Sequence, residues 1–265
     1  MKNTILLCGV LLILVLTSGC SMTNVREHPT LEEQLLDVDS VLVITPAVTI
    51  EQINFSTENE RLPDMERVVQ QELIAFAERE LNARGYEVVK FDLEKAINED
   101  EELAYAVNQA TEGFNEAKKT LYENALTEEE KRKFKVSVGT AVNIVSEKSG
   151  ADAVLLMHYI GHRKSKGSVA KDVVVGVLLG ALTGAVAVAP TEGSYVEIAF
   201  IDGITGEVLW SNMINSQQLN IRVADQVMAS FPEDVDAPAN VAKSEKIQDE
   251  TIDIEAASTS AEVVN

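Results

Sequence analysis

The spacing of apolar positions changes several times along the chain, and each change predicts an element. The mostly β-branched run Val41-Leu42-Val43-Ile44 predicts a first strand, which residues 48–55 either continue or accompany as an edge. Over residues 63–84 apolar side chains recur every three or four positions, which predicts an amphipathic helix ending before Gly85. Residues 86–91 read as a second strand. A strand–helix–strand unit of this kind predicts a parallel pair of strands.

Residues 93–149 keep a helical period almost throughout. A narrow heptad-like seam consists of Leu103, Val107, Ala110, Phe114, Ala117 and Leu121. Thr127 and Glu130 match a capping box, after which Phe134, Val138, Ala141 and Val145 repeat the spacing up to Gly150. We therefore expect two helices, joined near residues 124–127, that form an antiparallel hairpin. The seam favours packing on its own domain, and a seam for a partner helix or for self-association is the alternative.

The second half of the chain predicts the rest of a sheet. Residues 151–160 read as a buried strand, and residues 195–201 and 207–214 as a β-hairpin around Asp-Gly-Ile-Thr-Gly. The predicted fold is α/β, a two-layer sandwich with a mixed sheet, an inserted antiparallel helical hairpin and an apolar glycine-spaced insert. We expect this domain to span residues 40–231. Residues 232–265 are acidic and aperiodic, which predicts a disordered tail.

The apolar insert, residues 169–191, is the segment most suggestive of a function. Its core, residues 173–189, has no charge, and Gly176, Gly180 and Gly184 would line one stripe of a helix, which suits membrane contact or self-association. Such a helix would be about 26 Å long, short of the roughly 30 Å bilayer core. If the flanking strands share one sheet, both ends of the insert lie on the same side and a single span is excluded.

Three interpretations of the insert stay open. It forms a helix at the membrane interface or against a partner, a β-hairpin that joins a multimeric barrel, or a loop-helix buried in its own domain. The barrel is disfavoured because the segment lacks a polar face. The preceding basic cluster, Arg163, Lys164, Lys166 and Lys171, would suit anionic headgroups, and is also what a solvated loop contains.

The N-terminus has the pattern of an export signal. Lys2 precedes an apolar run over residues 5–16, which is too short to span a membrane comfortably. Thr17-Ser18-Gly19-Cys20 resembles the lipobox of bacterial lipoproteins, although Thr17 stands where the family usually has Leu. The resemblance implies that a signal peptide, residues 1–19, is removed, that Cys20 carries acyl chains such as palmitate, and that residues 20–39 are a lipidated tether. Ser21 after the cysteine implies the outer membrane, with the domain facing the periplasm; an ordinary secretory signal is the alternative.

Composition narrows the chemistry further. The net charge is −21, and loss of Lys2 with the signal makes it −22, which argues against a nucleic-acid partner. Cys8 and Cys20 are the only cysteines, so acylation would leave no thiol for a disulfide or a metal. His158 and His162 lie in strand-like sequence and His28 on the expected tether, so we expect no metal site. We also expect no cofactor and no catalytic residues, because no nucleophile elbow or phosphate loop is present.

Two stretches carry a resemblance to a wider group. They are Gly150-Ala-Asp-Ala-Val-Leu-Leu and the hairpin from Tyr195 to Trp210, with its Asp-Gly-Ile-Thr-Gly-Glu-Val-Leu-Trp core. Together they resemble envelope lipoproteins such as the curli-secretion channel lipoprotein and the lipoprotein activators of peptidoglycan synthases. The likeness covers residues 41–215 and is specific only at the hairpin. It implies an α/β sandwich in the periplasm with Trp210 in the core, and no single activity, because members of the group differ in what they do.

The resulting hypothesis is an outer-membrane-anchored periplasmic lipoprotein that acts as a non-enzymatic accessory or assembly factor. Its partners would be the membrane, through the lipid anchor, and other envelope proteins. An oligomeric secretion-channel or pore subunit, built from copies of this chain, is one alternative. A cell-wall-active enzyme is the other.

Overall fold

A computed structural model describes residues 24–55, 58–122, 127, 129–171 and 190–234. Eight strands in this part form one mixed sheet: β1 (Arg26–Glu27), β2 (Ser40–Val43), β3 (Ala47–Ile53), β4 (Glu60–Arg61), β5 (Glu87–Val88), β6 (Ala153–Lys164), β7 (Glu192–Asp202) and β8 (Val208–Ser216). The helices are α1 (Leu31–Gln34), α2 (Pro63–Ala83), α3 (Leu93–Glu99), α4 (Glu101–Tyr122), α5 (Ala141–Ser149) and α6 (Arg222–Met228). None of these helices is long and apolar enough to cross a membrane.

Strand β6 organises the sheet, whose order is β1-β8-β7-β6-β2-β5. One edge of β6 pairs antiparallel with β7 along its length, while the other pairs in parallel first with β2 and then with β3. Val43 lies opposite Leu155 and Ala47 opposite His158, so the β2–β3 side has one extra residue where Pro46 cannot donate to the ladder. Strand β2 is also parallel to β5 beyond α2, which confirms the predicted parallel pair.

Side chains that alternate along the strands feed two apolar cores, one on each face of the sheet. On the first face α2 and α6 pack against alternate residues of β6 and β7, and Trp210 is fully buried with its ring centroid 5.0 Å from that of Phe231. On the second face α4 and α5 pack against the intervening strand residues, such as Val154 and Leu156. The predicted α/β fold with a mixed sheet is confirmed, with helices on both faces.

The apolar seam of α4 packs on the domain's own sheet. The buried residues are Leu103, Ala106, Ala110, Phe114, Ala117 and Leu121, while Val107 is partly exposed. Burial against the sheet accounts for the spacing, so the helical period reflects the core and not a seam for a second chain.

The second helix of the predicted hairpin is shorter than expected. Glu130 donates its N–H to Thr127 Oγ1 at 3.3 Å, as in a capping box, but only a 3-10 helix, Glu130–Arg132, follows. Residues 136–138 instead lie along the β7–β8 hairpin, where Val138 N donates to Gly206 O at 2.9 Å. The β-branched residues favour this extended path, and Gly139, with φ 96°, turns the chain into α5.

The expected tether is wrong for residues 24–39, which belong to the domain. Strand β1 pairs antiparallel with β8, and Leu35 and Val38 are buried in the first core. Pairing with a strand far along the chain overrides the polar local composition. The signal peptide, residues 20–23 of the tether and residues 235–265 of the tail lie outside the described residues.

Candidate functional site

The end of the sheet at which β6 finishes and β7 starts, here called the insert end, brings several predicted features together. Arg163 lies opposite Glu192, and Lys164 N donates to Thr191 O at 2.8 Å. The chain therefore leaves the sheet and returns to it side by side, as the topological argument about the insert requires. Gly176, Gly180 and Gly184 lie outside the described residues, and their role stays a prediction.

The N-terminal strand points toward the same end. Glu27 lies opposite Trp210, and Asn24 N donates to Met213 O at 3.1 Å, so going backward along the chain moves toward Ser216. Cys20 lies outside the described residues, four positions before Asn24. Four extended residues reach at most about 14 Å, which sets an upper bound on the distance between Asn24 and Cys20.

The basic cluster sits at the insert end as well. Residues 166–171 are helical, and Ser165 N and Ser168 Oγ both donate to Ile53 O, at 2.9 and 3.0 Å, which fixes this turn over the end of β3. Lys171 Nζ lies 4.5 Å from the centre of the Phe55 ring, and Phe55 is 56% exposed. Lys171 and the exposed ring of Phe55 therefore form a cation–π contact at the insert end.

A buried polar cluster, which sequence reasoning did not find, lies beneath α4 on the second face. Lys118 Nζ is 2.9 Å from Glu197 Oε2 and 3.2 Å from His158 Nδ1. Glu197 is fully buried in β7, whereas the Lys118 side chain is 19% exposed. The signal in the sequence was a carboxylate in the middle of an otherwise apolar strand, Tyr-Val-Glu-Ile-Ala-Phe. Its partners come from other elements, so local patterns could not name them.

Burial governs the protonation of this cluster. It raises the pKa of Glu197, an effect that the ammonium of Lys118 opposes. Burial lowers the pKa of His158, and the nearby Lys118 lowers it further. The neutral ring can then accept a hydrogen bond from Lys118 Nζ at Nδ1. Burial raises the pKa of Tyr195 as well, and the adjacent Glu197 adds to the shift.

The space beside this cluster is small. A cavity of about 60 Å³ adjoins His158 and is lined also by Thr111, Phe114 and Asn115. Ligand pockets typically measure roughly 300–1,000 Å³, so the cavity admits water and not a substrate. Among the described residues, no group of three or more His, Cys, Asp or Glu side chains is assembled as a metal site. The contacts of Lys118 with Glu197 and His158 join α4 to β7 and β6.

The chain has distant structural similarity to several solved bacterial proteins. Neither a protein-family model nor a curated protein matches the sequence. Among solved structures, lipoprotein GNA1162 from Neisseria meningitidis aligns with TM-score 0.30 and 14% identity over 73% of this chain and 99% of that one. The PelC dodecamer from Paraburkholderia phytofirmans aligns with TM-score 0.34 and 16% identity, over 78% and 93% of the two chains. The LpoB C-terminal domain from Salmonella enterica gives 0.26 and 13%, over 72% and 94%.

Proposed function

We propose that this protein is a lipoprotein of the outer membrane, acylated at Cys20 and facing the periplasm, where it acts as a non-enzymatic accessory or assembly factor. The observation that carries the proposal is the hydrogen bond from Asn24 N to Met213 O, at 3.1 Å. Because Asn24, four residues after Cys20, is already hydrogen-bonded to β8, acylation of Cys20 would keep this edge of the sheet within about 14 Å of the lipid attachment.

A short link favours contact with other envelope proteins. It confines the domain to a thin layer, which raises its effective concentration toward any partner in the same membrane. At the opposite end of the sheet Ile204 is 72% exposed and Leu36 52% exposed. Gln34 Nε2 donates to Glu207 Oε2 at 3.1 Å, which brings the two apolar side chains into the same region. Large exposed apolar side chains at this far end suit a protein contact.

The non-enzymatic part rests on the buried cluster. Burial shifts the pKa values of Glu197 and His158, and both side chains contact Lys118 beside a cavity of about 60 Å³. Because Lys118 and Glu197 form an internal ion pair, we expect neither side chain to act on a substrate.

Acylation is tested by Cys20→Ala, with Cys8→Ala as the matched control inside the predicted signal. Cys20→Ala should lose the acyl mass and move from the membrane to the soluble periplasmic fraction, while Cys8→Ala should keep both properties. Mass spectrometry of the wild-type protein that found an intact Met1, or a mature N-terminus without acyl chains, would overturn the proposal.

Partner contact is tested with a photo-crosslinking residue at Ile204, and at Val68, 54% exposed on α2, as the control. We expect a discrete adduct with an envelope protein from Ile204 that Leu36→Asp weakens, and none from Val68. Adducts from both positions, or from neither, would contradict this. A uniform ring of copies that disappears on deletion of residues 169–191 would replace the accessory factor with the channel subunit.

A further inference from the structure

We propose that the insert end of the sheet is a membrane-contacting surface that binds anionic lipid headgroups and orients the anchored domain with its strands pointing at the bilayer. The proposal rests on the proposed function to the extent that Cys20 supplies the anchor. The binding surface itself consists of described residues: Phe55, Arg163, Lys164, Lys166 and Lys171.

The reach of the anchor supports this orientation. Asn24 is level with Met213, which pairs with Glu197, which in turn pairs with His158. From His158 to Lys164 strand β6 continues for about 20 Å, at roughly 3.3 Å per residue. The chain from Asn24 back to Cys20 reaches at most about 14 Å. When the strands point at the bilayer, the end of β6 therefore extends as far as the lipid attachment or further, and touches the membrane.

The charge distribution selects this end over the others. Residues 163–171 carry four cations and no carboxylate, in a chain whose net charge is −21. Glu192 lies opposite Arg163 and Glu51 opposite His162 in the ladder, and Glu60 on β4 lies opposite Gln52, so carboxylates flank this part of β6. A domain lying on its β1 side would instead present a groove rimmed by Glu27, Glu32, Glu33 and Glu233. Charges act over a Debye length of about 8–10 Å, so an anionic surface attracts the first side and repels the second.

The exposed aromatic ring at the insert end fits the headgroup region. Phe55 is 56% exposed, and Lys171 Nζ lies 4.5 Å from the centre of its ring. Aromatic rings and lysines are enriched together where a protein meets the boundary between headgroups and acyl chains. The surface therefore offers both electrostatic and apolar contacts to one kind of partner, a bilayer that contains phosphatidylglycerol.

The test uses the mature full-length lipoprotein, in which loss of Cys8 and acylation of Cys20 leave no other thiol. A fluorophore is attached at Gln217→Cys, exposed beyond β8 at the insert end, or at Ile204→Cys, in the turn at the opposite end. Each protein is reconstituted in vesicles of phosphatidylcholine with or without phosphatidylglycerol, which carry a nitroxide on the headgroup. We expect stronger quenching at position 217 than at 204, and a larger difference with phosphatidylglycerol and at low salt.

The decisive variant is Lys166→Gln with Lys171→Gln. Each neutralised lysine should lower the preference for the insert-end-down orientation roughly fivefold on phosphatidylglycerol vesicles. The matched control, Lys90→Gln with Lys95→Gln, removes the same charge from side chains that are 74% and 67% exposed beyond β5, and should leave quenching unchanged. Equal quenching at the two positions, or equal effects of the two lysine pairs, would overturn the proposal.

Failure of the anchor has a separate readout. Acyl mass and flotation with pure phosphatidylcholine vesicles report acylation without reference to orientation. If the chain proves unacylated, the proposed function fails, and flotation that depends on phosphatidylglycerol and is lost in the Lys166 and Lys171 variant still tests the basic surface.

Discussion

Lys118 Nζ lies 2.9 Å from Glu197 Oε2, and this contact joins the covering helix α4 to a carboxylate with no exposed surface in the middle of the sheet. Moving an ionised carboxylate out of water costs several kcal/mol, which only a close counter-charge offsets. The pair therefore fixes the position of α4 on the sheet, because sliding the helix would leave the charge unmatched.

Lys118→Met should lower the free energy of unfolding by about 3 kcal/mol, the lower end of the range for buried pairs, since the lysine keeps partial contact with water. The double variant Lys118→Met with Glu197→Gln should regain much of that loss, because no uncompensated charge remains. Urea denaturation of the two variants and the wild type measures the difference. If the double variant were less stable than Lys118→Met, the loss in the single variant would not come from the unpaired charge of Glu197.

Stability should fall in mild acid through His158. Burial and Lys118 lower its pKa in the folded state below the ordinary 6.5, so the unfolded chain takes up a proton first as the pH drops. The contribution of His158 is complete above about pH 6.5 and is lost as the pH falls toward the folded pKa, at most about 1.4 kcal/mol per pH unit.

The measurement is the pH dependence of the free energy of unfolding for wild type and His158→Gln, with both referred to pH 8. Glutamine can still accept a hydrogen bond from Lys118, so the variant removes the titration with little change in packing. Its curve should be flatter below pH 6.5. Glu197 acts in the opposite sense, since its raised pKa makes stability fall as the pH rises through its own range, and that part should be the same in both proteins. Parallel curves would contradict the assignment to His158.

The sequence predicted the elements whose causes are local. The period of α2, with Pro63 at its start and Gly85 at φ 101° after its end, and the hairpin around Asp202 were found because spacing and turn chemistry determine them. Asp202 Oδ1 accepts hydrogen bonds from the N–H groups of Ile204 and Thr205, at 3.0 and 2.6 Å, which closes the turn with neighbouring residues alone.

The features that the sequence did not predict depend on partners far along the chain. Strand β1 has two residues and forms because β8 offers an edge. Residues 136–138 leave the helical path because they exchange hydrogen bonds with the β7–β8 hairpin: Val138 N donates to Gly206 O, and Val208 N donates to Val136 O. The Lys118–Glu197 pair needs the α4–β7 packing before either residue becomes informative. At the candidate site, the sequence identified the basic cluster. It could not show that β1, which follows the predicted anchor, points toward the same end of the sheet, because that depends on the antiparallel pairing of β1 with β8.

Two glycines separate the cost of backbone conformation from the cost of packing. Gly150 and Gly206 have φ values of 76° and 71°, but a Cβ at Gly150 meets nothing within 4 Å, whereas one at Gly206 would lie 2.2 Å from Gly139 O. Gly150→Ala should cost about 1–2 kcal/mol, the penalty of the left-handed region, and Gly206→Ala should cost more because the segment 136–139 must move. Thermal denaturation compares the variants. Equal costs would show that this segment does not pack on the turn in solution.

Arg26 holds strand β1, the strand that follows the predicted lipid attachment, against the domain. Its side chain is buried, Nε donates to Leu121 O at 2.7 Å, and the guanidinium lies 5.1 Å from the centre of the Tyr122 ring. Arg26→Ala removes a charged hydrogen bond of about 1.5–3 kcal/mol and leaves a buried carbonyl unmatched. Because β1 is held by few contacts, we expect this strand to open before the rest of the sheet.

Hydrogen exchange measures that opening directly. In Arg26→Ala the amides of Asn24 and His28, which bond to Met213 O at 3.1 Å and Leu209 O at 2.8 Å, should exchange roughly tenfold to a hundredfold faster, while those of β6 and β7 change less. Arg67→Ala, at a side chain 67% exposed on α2, is the control and should leave all of them unchanged. In vesicles, release of β1 lengthens the link, so the difference in quenching between positions 217 and 204 should shrink. Unchanged exchange at Asn24 and His28 would show that Arg26 does not hold the strand and that the link is short for another reason.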